Sequence, residues 1–198
     1  MLLPNQLTVL RIILTPIFFV LFISGVPILI QISLGVFLIA AITDWYDGWL
    51  ARKFNYITEW GKFLDPLADK ILTSTAFLGF VFIGVLDLWM VILIIVRDLL
   101  ITGLRSLAEY RKISFTTSYL AKWKTFLQMV FLYYLLLIYT ISTLPPIYSG
   151  NEIFFSHLFN PQLIFWIMLV VTAFTVYTGI TYLFSNRFLI KQIFNNEN

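Results

Sequence analysis

Asp44-Trp45-Tyr46-Asp47-Gly48-Trp49-Leu50-Ala51-Arg52 and, after eight intervening residues, Gly61-Lys62-Phe63-Leu64-Asp65-Pro66-Leu67-Ala68-Asp69-Lys70 decide how this chain folds. Four carboxylates fall between positions 44 and 69 of a sequence that is 60% hydrophobic and only 12% charged. Asp44 and Asp47 stand three apart and Asp65 and Asp69 four apart, so each pair shares one face of a helix. Between the pairs, Lys53–Trp60 is a short polar break holding Asn55, Thr58 and Glu59. Antiparallel helices joined by a short turn bring residues equidistant from that turn to the same depth. About residue 56, Asp44 then lies level with Asp69, and Asp47 with Asp65. The expectation is that all four carboxylates converge on one point.

Such convergence has an electrostatic cost, because like charges at close range suppress each other's ionisation. A divalent cation removes the conflict. The donors are all oxygens, the chain has no Cys, and its single His is remote, which points to Mg²⁺ or Mn²⁺ rather than zinc. Four carboxylates can hold two such ions, the arrangement used for phosphoryl chemistry. Gly48, Ala51 and Gly61 leave room on the same faces, and Arg52 offers a planar fork for a phosphate. Pro66 cannot donate to residue 62, so the helix is expected to open there and free a carbonyl. Ionisable groups in apolar helices are rare and mark functional sites. The plainer alternative pairs the four with Arg52, Lys53, Lys62 and Lys70 at a membrane surface.

Around this hairpin the chain reads as an all-α integral membrane protein of one domain, residues 1–198, with a mean hydropathy of +0.91. Six spans are expected at 7–26, 29–53, 59–84, 87–109, 118–143 and 160–184, each long enough for ~30 Å of hydrocarbon at about 1.5 Å per residue. The connections at 26–29 and 84–87 are tight. The fifth, Thr143–Asn160, carries Pro145-Pro146, Gly150 and Asn160-Pro161 as breakers. All 13 Lys and Arg fall on or toward one side, and the opposite loops hold only Asp87 and Glu152 as charges. The positive-inside rule then puts both termini, and the Asp hairpin, at the cytoplasmic face of the plasma membrane. The basic residues are dispersed among apolar spans, which excludes a nucleic-acid face.

Three further segments carry chemistry or its alternatives. Pro4-Asn5 followed by Thr8 either caps a helix entering the membrane or anchors the chain at the interface. Arg97 lies mid-span and needs a partner or a wet cavity; it either joins Asp98 in a structural network or faces a pocket with Arg105, eight residues on. Lys122 and Lys124 sit at the same cytoplasmic level, where they meet either anionic headgroups or substrate. His157 reads as a solvated loop residue, and beyond Ile141 only hydropathy is legible.

The spacing D-x2-D-G-x2-A-R-x8-G-x3-D-x3-D resembles the signature of the CDP-alcohol phosphotransferase family at every fixed position. Leu3-Pro4-Asn5-x-Leu7-Thr8-x-x-Arg11, the pair Arg97 and Arg105, and Lys122-x-Lys124-Thr125-x-x-Gln128 are similar to its phosphatidylglycerophosphate synthase branch, which often has Glu where Asp98 stands. The resemblance implies displacement at the lipid-side phosphorus of CDP-diacylglycerol by an alcohol, with release of CMP. It implies that Asp44, Asp47, Asp65 and Asp69 are the ligands of two metal ions and that Asp69 is also the general base. It assigns Gly48, Arg52 and Thr58 to the CDP part, with Asn5, Thr8, Ala51, Gly61 and Lys62 also on CDP-diacylglycerol. A homodimer in the bilayer is implied as well.

A phosphorylated acceptor such as glycerol 3-phosphate calls for fixed cations beside the carboxylates, and Arg97, Arg105, Lys122 and Lys124 supply them. Phosphatidylglycerol or inositol phosphate would suit the same cations, leaving cardiolipin synthase and phosphatidylinositol-phosphate synthase activities open. A cation transporter is the competing class, but the outer halves of the spans offer no second set of ligands.

Overall fold

The computed structural model describes residues 3–54, 59–111, 119–148 and 150–194, and within them only helices and their connections are found, with no strand. Six helices of 20 residues or more form the bundle: α1 (Leu3–Phe22), α2 (Pro27–Phe54), α3 (Glu59–Phe82), α4 (Leu88–Tyr110), α5 (Tyr119–Ser142) and α8 (Pro161–Ser185). Between α5 and α8 lie two short helices, α6 (Pro145–Tyr148) and α7 (Glu152–Leu158), and α9 (Arg187–Phe194) follows α8. The breakers of the fifth connection therefore interrupt helix without abolishing it, and His157 sits exposed on α7. By length and composition two stretches are long and apolar enough to cross a membrane, Tyr119–Ser142 and Ile153–Ser185, with Gln6–Phe22 and Pro27–Thr43 as shorter apolar helices.

The helix ends correct the sequence reading in physically simple ways. The first helix already includes Leu3 among the described residues, so Asn5 lies within it and is not a cap. Pro4 is tolerated there because an amide at that position has no intrahelical acceptor to miss. The helix stops at Phe22 rather than 26 because Gly25 takes a φ of 70°, open to glycine without strain, and starts the turn into α2. Gly84, at φ 77°, does the same between α3 and α4. Pro66 does not break α3, which runs continuously through it from Glu59 to Phe82. At the start of α8 the Asn160 side chain accepts from Gln162 N at 2.9 Å, ahead of Pro161, so the expected breaker is a helix cap.

The core is aromatic. Phe18 and Phe22 of α1, Phe37 of α2 and Phe80 of α3 are all fully buried. Phe22 lies 5.0 Å from the Phe80 ring and 5.3 Å from that of Tyr139 in α5. α1 packs against α2 and α3, α3 against α4, and α8 against α4 and α5. This order brings the start of α1, the start of α3, the end of α4, the start of α5 and the end of α8 to the same end of the bundle.

Candidate active site

Of the four expected carboxylates, Asp65 and Asp69 have described side chains, one turn apart near the start of α3. Asp44 and Asp47 lie on the last turns of α2, but their side chains are outside the described residues, as are those of Asn5, Ala51, Arg52 and Lys62. Gly48 and Gly61 are helical, and the surroundings of neither are described; Thr58 and Asn55 lie outside the described residues altogether. Among the described residues no three His, Asp or Glu side chains are grouped as a metal site. The hydroxyl of Thr8, buried on α1, donates to Asp65 Oδ1 at 2.5 Å. A carboxylate gripped from a second helix keeps one rotamer, which is the preparation an oxygen ligand needs.

Asp69 faces a cavity of about 890 Å³. Its wall is charged: Asp69 and Lys70 come from α3, Arg97, Arg105 and Glu109 from α4, and Lys122 from α5. Four cations thus stand against two carboxylates, an environment fit for an anion. The cations are held differently. Arg105 is more than half exposed and its Nε lies 3.2 Å from Glu109 Oε1 one turn on, which leaves the rest of the fork free to turn toward a ligand. Lys70 Nζ lies 3.5 Å from Asp69 Oδ2.

Behind this wall is a buried network. Asp98 is 3% exposed, and its Oδ1 accepts from both Arg97 Nη1, at 3.1 Å, and Lys124 Nζ. The cost of burying Asp98 and Lys124 as ions is offset by their pairing, and Arg97, partly open to the cavity, shares the same carboxylate oxygen. Lys124 is 1% exposed and points at Asp98, and it does not line the cavity. Of the four expected acceptor cations, Arg97, Arg105 and Lys122 meet at the cavity, and Lys124 stands one layer behind them.

The sequence reading missed Lys70 as a cavity residue and everything contributed by α8. Tyr182 lines the cavity, and Thr178 Oγ1 accepts from Arg97 Nη2 at 3.3 Å. The signal was present as Thr172, Thr175, Thr178 and Thr181 at three-residue spacing in an otherwise apolar helix, but hydropathy alone does not separate such a stripe from filler. The Arg105–Glu109 pair was legible as an i, i+4 spacing.

The family model that matches residues 1–177 is described as CDP-alcohol phosphatidyltransferase. A protein of Rickettsia bellii is 36% identical over 176 residues, covering 89% of this chain and 92% of its own length. One of Bacillus subtilis is 39% identical over 140 residues, 65% of this chain and 72% of that protein. One of Salmonella typhimurium is 41% identical over 139 residues, 67% and 75% respectively. All three are named CDP-diacylglycerol–glycerol-3-phosphate 3-phosphatidyltransferase.

Proposed function

The chain belongs to the CDP-alcohol phosphatidyltransferase family, and from that premise we propose that it transfers the phosphatidyl group of CDP-diacylglycerol to sn-glycerol 3-phosphate, giving phosphatidylglycerophosphate and CMP. It is a phosphatidyltransferase of phospholipid biosynthesis. The choice of acceptor is carried by the relatives named for glycerol 3-phosphate, and the cavity in which Asp69 shares a wall with Lys70, Arg97, Arg105 and Lys122 supplies the cations a phosphate-bearing acceptor needs. A phosphate monoester seated on those cations presents its own hydroxyl toward Asp69.

In this reaction the acceptor oxygen bonds to the lipid-side phosphorus, the bond from that phosphorus to the CMP oxygen breaks, and the hydroxyl proton passes to an Asp69 carboxylate oxygen. Asp44, Asp47, Asp65 and Asp69 would hold two Mg²⁺ or Mn²⁺ ions, and the all-oxygen donor set together with the Thr8 grip on Asp65 fits that role. When bound, such ions neutralise the pyrophosphate and the departing CMP. Gly48, Arg52 and Thr58, with Asn5, Thr8, Ala51, Gly61 and Lys62, are assigned to CDP-diacylglycerol. Arg97, Arg105 and Lys122 bind the acceptor phosphate directly, and Lys124 acts through Asp98.

The same reading makes residues 1–198 one membrane domain in which α1–α5 and α8 all cross the bilayer of the plasma membrane. Both termini and the catalytic end are cytoplasmic, and the protein works as a homodimer. The one-sided placement of 13 basic residues supports the orientation, and the homodimer rests on the family resemblance alone. Purified protein given CDP-diacylglycerol and a panel of glycerol 3-phosphate, glycerol, inositol phosphate and phosphatidylglycerol tests the proposal by lipid product. Phosphatidylglycerophosphate as the dominant product, lost in excess chelator, is the expected result. A larger yield from inositol phosphate or phosphatidylglycerol would reassign the acceptor.

A further inference from the structure

Arg97 reaches the cavity from a seat that α8 builds. Its guanidinium has three anchored or enclosed faces. Nη1 donates to Asp98 on its own helix, and Nη2 donates to Thr178 on α8, 81 residues away in the chain. Nε is buried and has no hydrogen-bond acceptor among the described residues. Thr178 is 1% exposed and its single hydroxyl proton goes to the Thr175 carbonyl at 3.0 Å. Its oxygen is thereby fixed with a lone pair toward Arg97, so it acts there only as an acceptor. The next residue, Gly179, completes the seat. A Cβ built on it would stand 2.9 Å from Arg97 Cγ and 3.4 Å from Nε, so only glycine leaves the side chain its present path.

We propose that Thr178 and Gly179 are positioning residues that set the reach of Arg97 into the cavity and thereby the enzyme's discrimination for an acceptor carrying a phosphate dianion. The inference rests on the acceptor reading above, since it needs Arg97 to meet the acceptor phosphate. A guanidinium fixed by Asp98 alone could swing about its own helix. Held from α8 as well, it presents one edge at one depth, and a charge placed in advance binds without first giving up side-chain freedom. An acceptor lacking the phosphate gains nothing from that placement, so the seat acts on selectivity for the anion and leaves the CDP-diacylglycerol side untouched.

Full-length protein in detergent–lipid micelles provides the test, with KM and kcat measured separately for glycerol 3-phosphate and CDP-diacylglycerol. Thr178→Val removes the acceptor at nearly constant volume and is expected to raise the KM for glycerol 3-phosphate about tenfold, with less than about a twofold change for CDP-diacylglycerol. Thr178→Ser keeps the oxygen and should return the parent value to within about twofold. Gly179→Ala should move the same KM in the same direction, and if that variant does not fold the Val and Ser pair still decides. Equal behaviour of Thr178→Val and Thr178→Ser, or losses spread evenly over both substrates, would overturn the inference. Arg97→Ala separates the two levels. If it raises the KM for glycerol 3-phosphate while the Thr178 variants do not, the seat is wrong and the acceptor reading stands. If Arg97→Ala and Arg105→Ala both leave that KM unchanged, both fall.

Discussion

At one end of the bundle Phe18, Phe22, Phe37, Phe80 and Tyr139 pack ring against ring. At the other, Asp65, Asp69, Lys70, Arg97, Asp98, Arg105 and Lys124 lie within a few helical turns of one another. Helices α3 and α5 contribute to both ends, so within each of them the difference lies in which residues occupy its two halves. The aromatic half has shape as its main constraint, and at Gly79 a Cβ would stand 2.8 Å from the Phe22 ring. The charged half is constrained by pairing: every deeply buried ion there needs a counter-ion, while those at the cavity keep part of their bonding capacity for a ligand. Dry packing holds the helices in register, and the wet end uses that register to place charge.

The comparison predicts that damage to the two ends will look different. The largest effect should come from the two carboxylates near the start of α3. Asp65→Asn and Asp69→Asn are each expected to lower turnover at least ~100-fold with no loss of thermal stability, measured as CMP release and as unfolding in detergent. Turnover near the parent value in either variant would remove that residue from the chemistry.

Asp98→Ala should behave as a structural lesion instead. It leaves Arg97 and Lys124 buried without their shared carboxylate, and the expected loss is about 3–5 kcal/mol of unfolding free energy. A stable Asp98→Ala protein would mean that the buried cations find another partner. Gly79→Ala, in the aromatic half, should cost ~1–3 kcal/mol through the displaced Phe22 ring, with both KM values unchanged. A change in either KM would show that the two halves are coupled more tightly than this division allows.

Much of this division can be read along the chain, and part of it cannot. The six long helices fall within a few residues of the apolar runs, because length and hydropathy are local properties. The placement of Asp65 and Asp69 one turn apart near the start of α3 is legible for the same reason, since 3.6 residues per turn sets their spacing. What the chain hides is direction. Lys122 and Lys124 are two apart and read alike, yet one lines the cavity and the other turns inward to Asp98. Pro66 looks like a break, but the first turns of α3 carry it without one. The seat of Arg97 depends on a contact across 81 residues, and Thr178 and Gly179 give no local sign of it.

The central claim is that the cations of the cavity bind the acceptor's phosphate beside Asp69, and Arg105 tests it most directly. Its exposed pairing with Glu109 contributes little to folding, so Arg105→Ala should change stability by no more than about 0.5 kcal/mol. Losing a charge-assisted hydrogen bond to the phosphate should raise the KM for glycerol 3-phosphate roughly 10- to 150-fold and leave that for CDP-diacylglycerol nearly unchanged. An unchanged KM for glycerol 3-phosphate, or an equal rise for both substrates, would contradict the account.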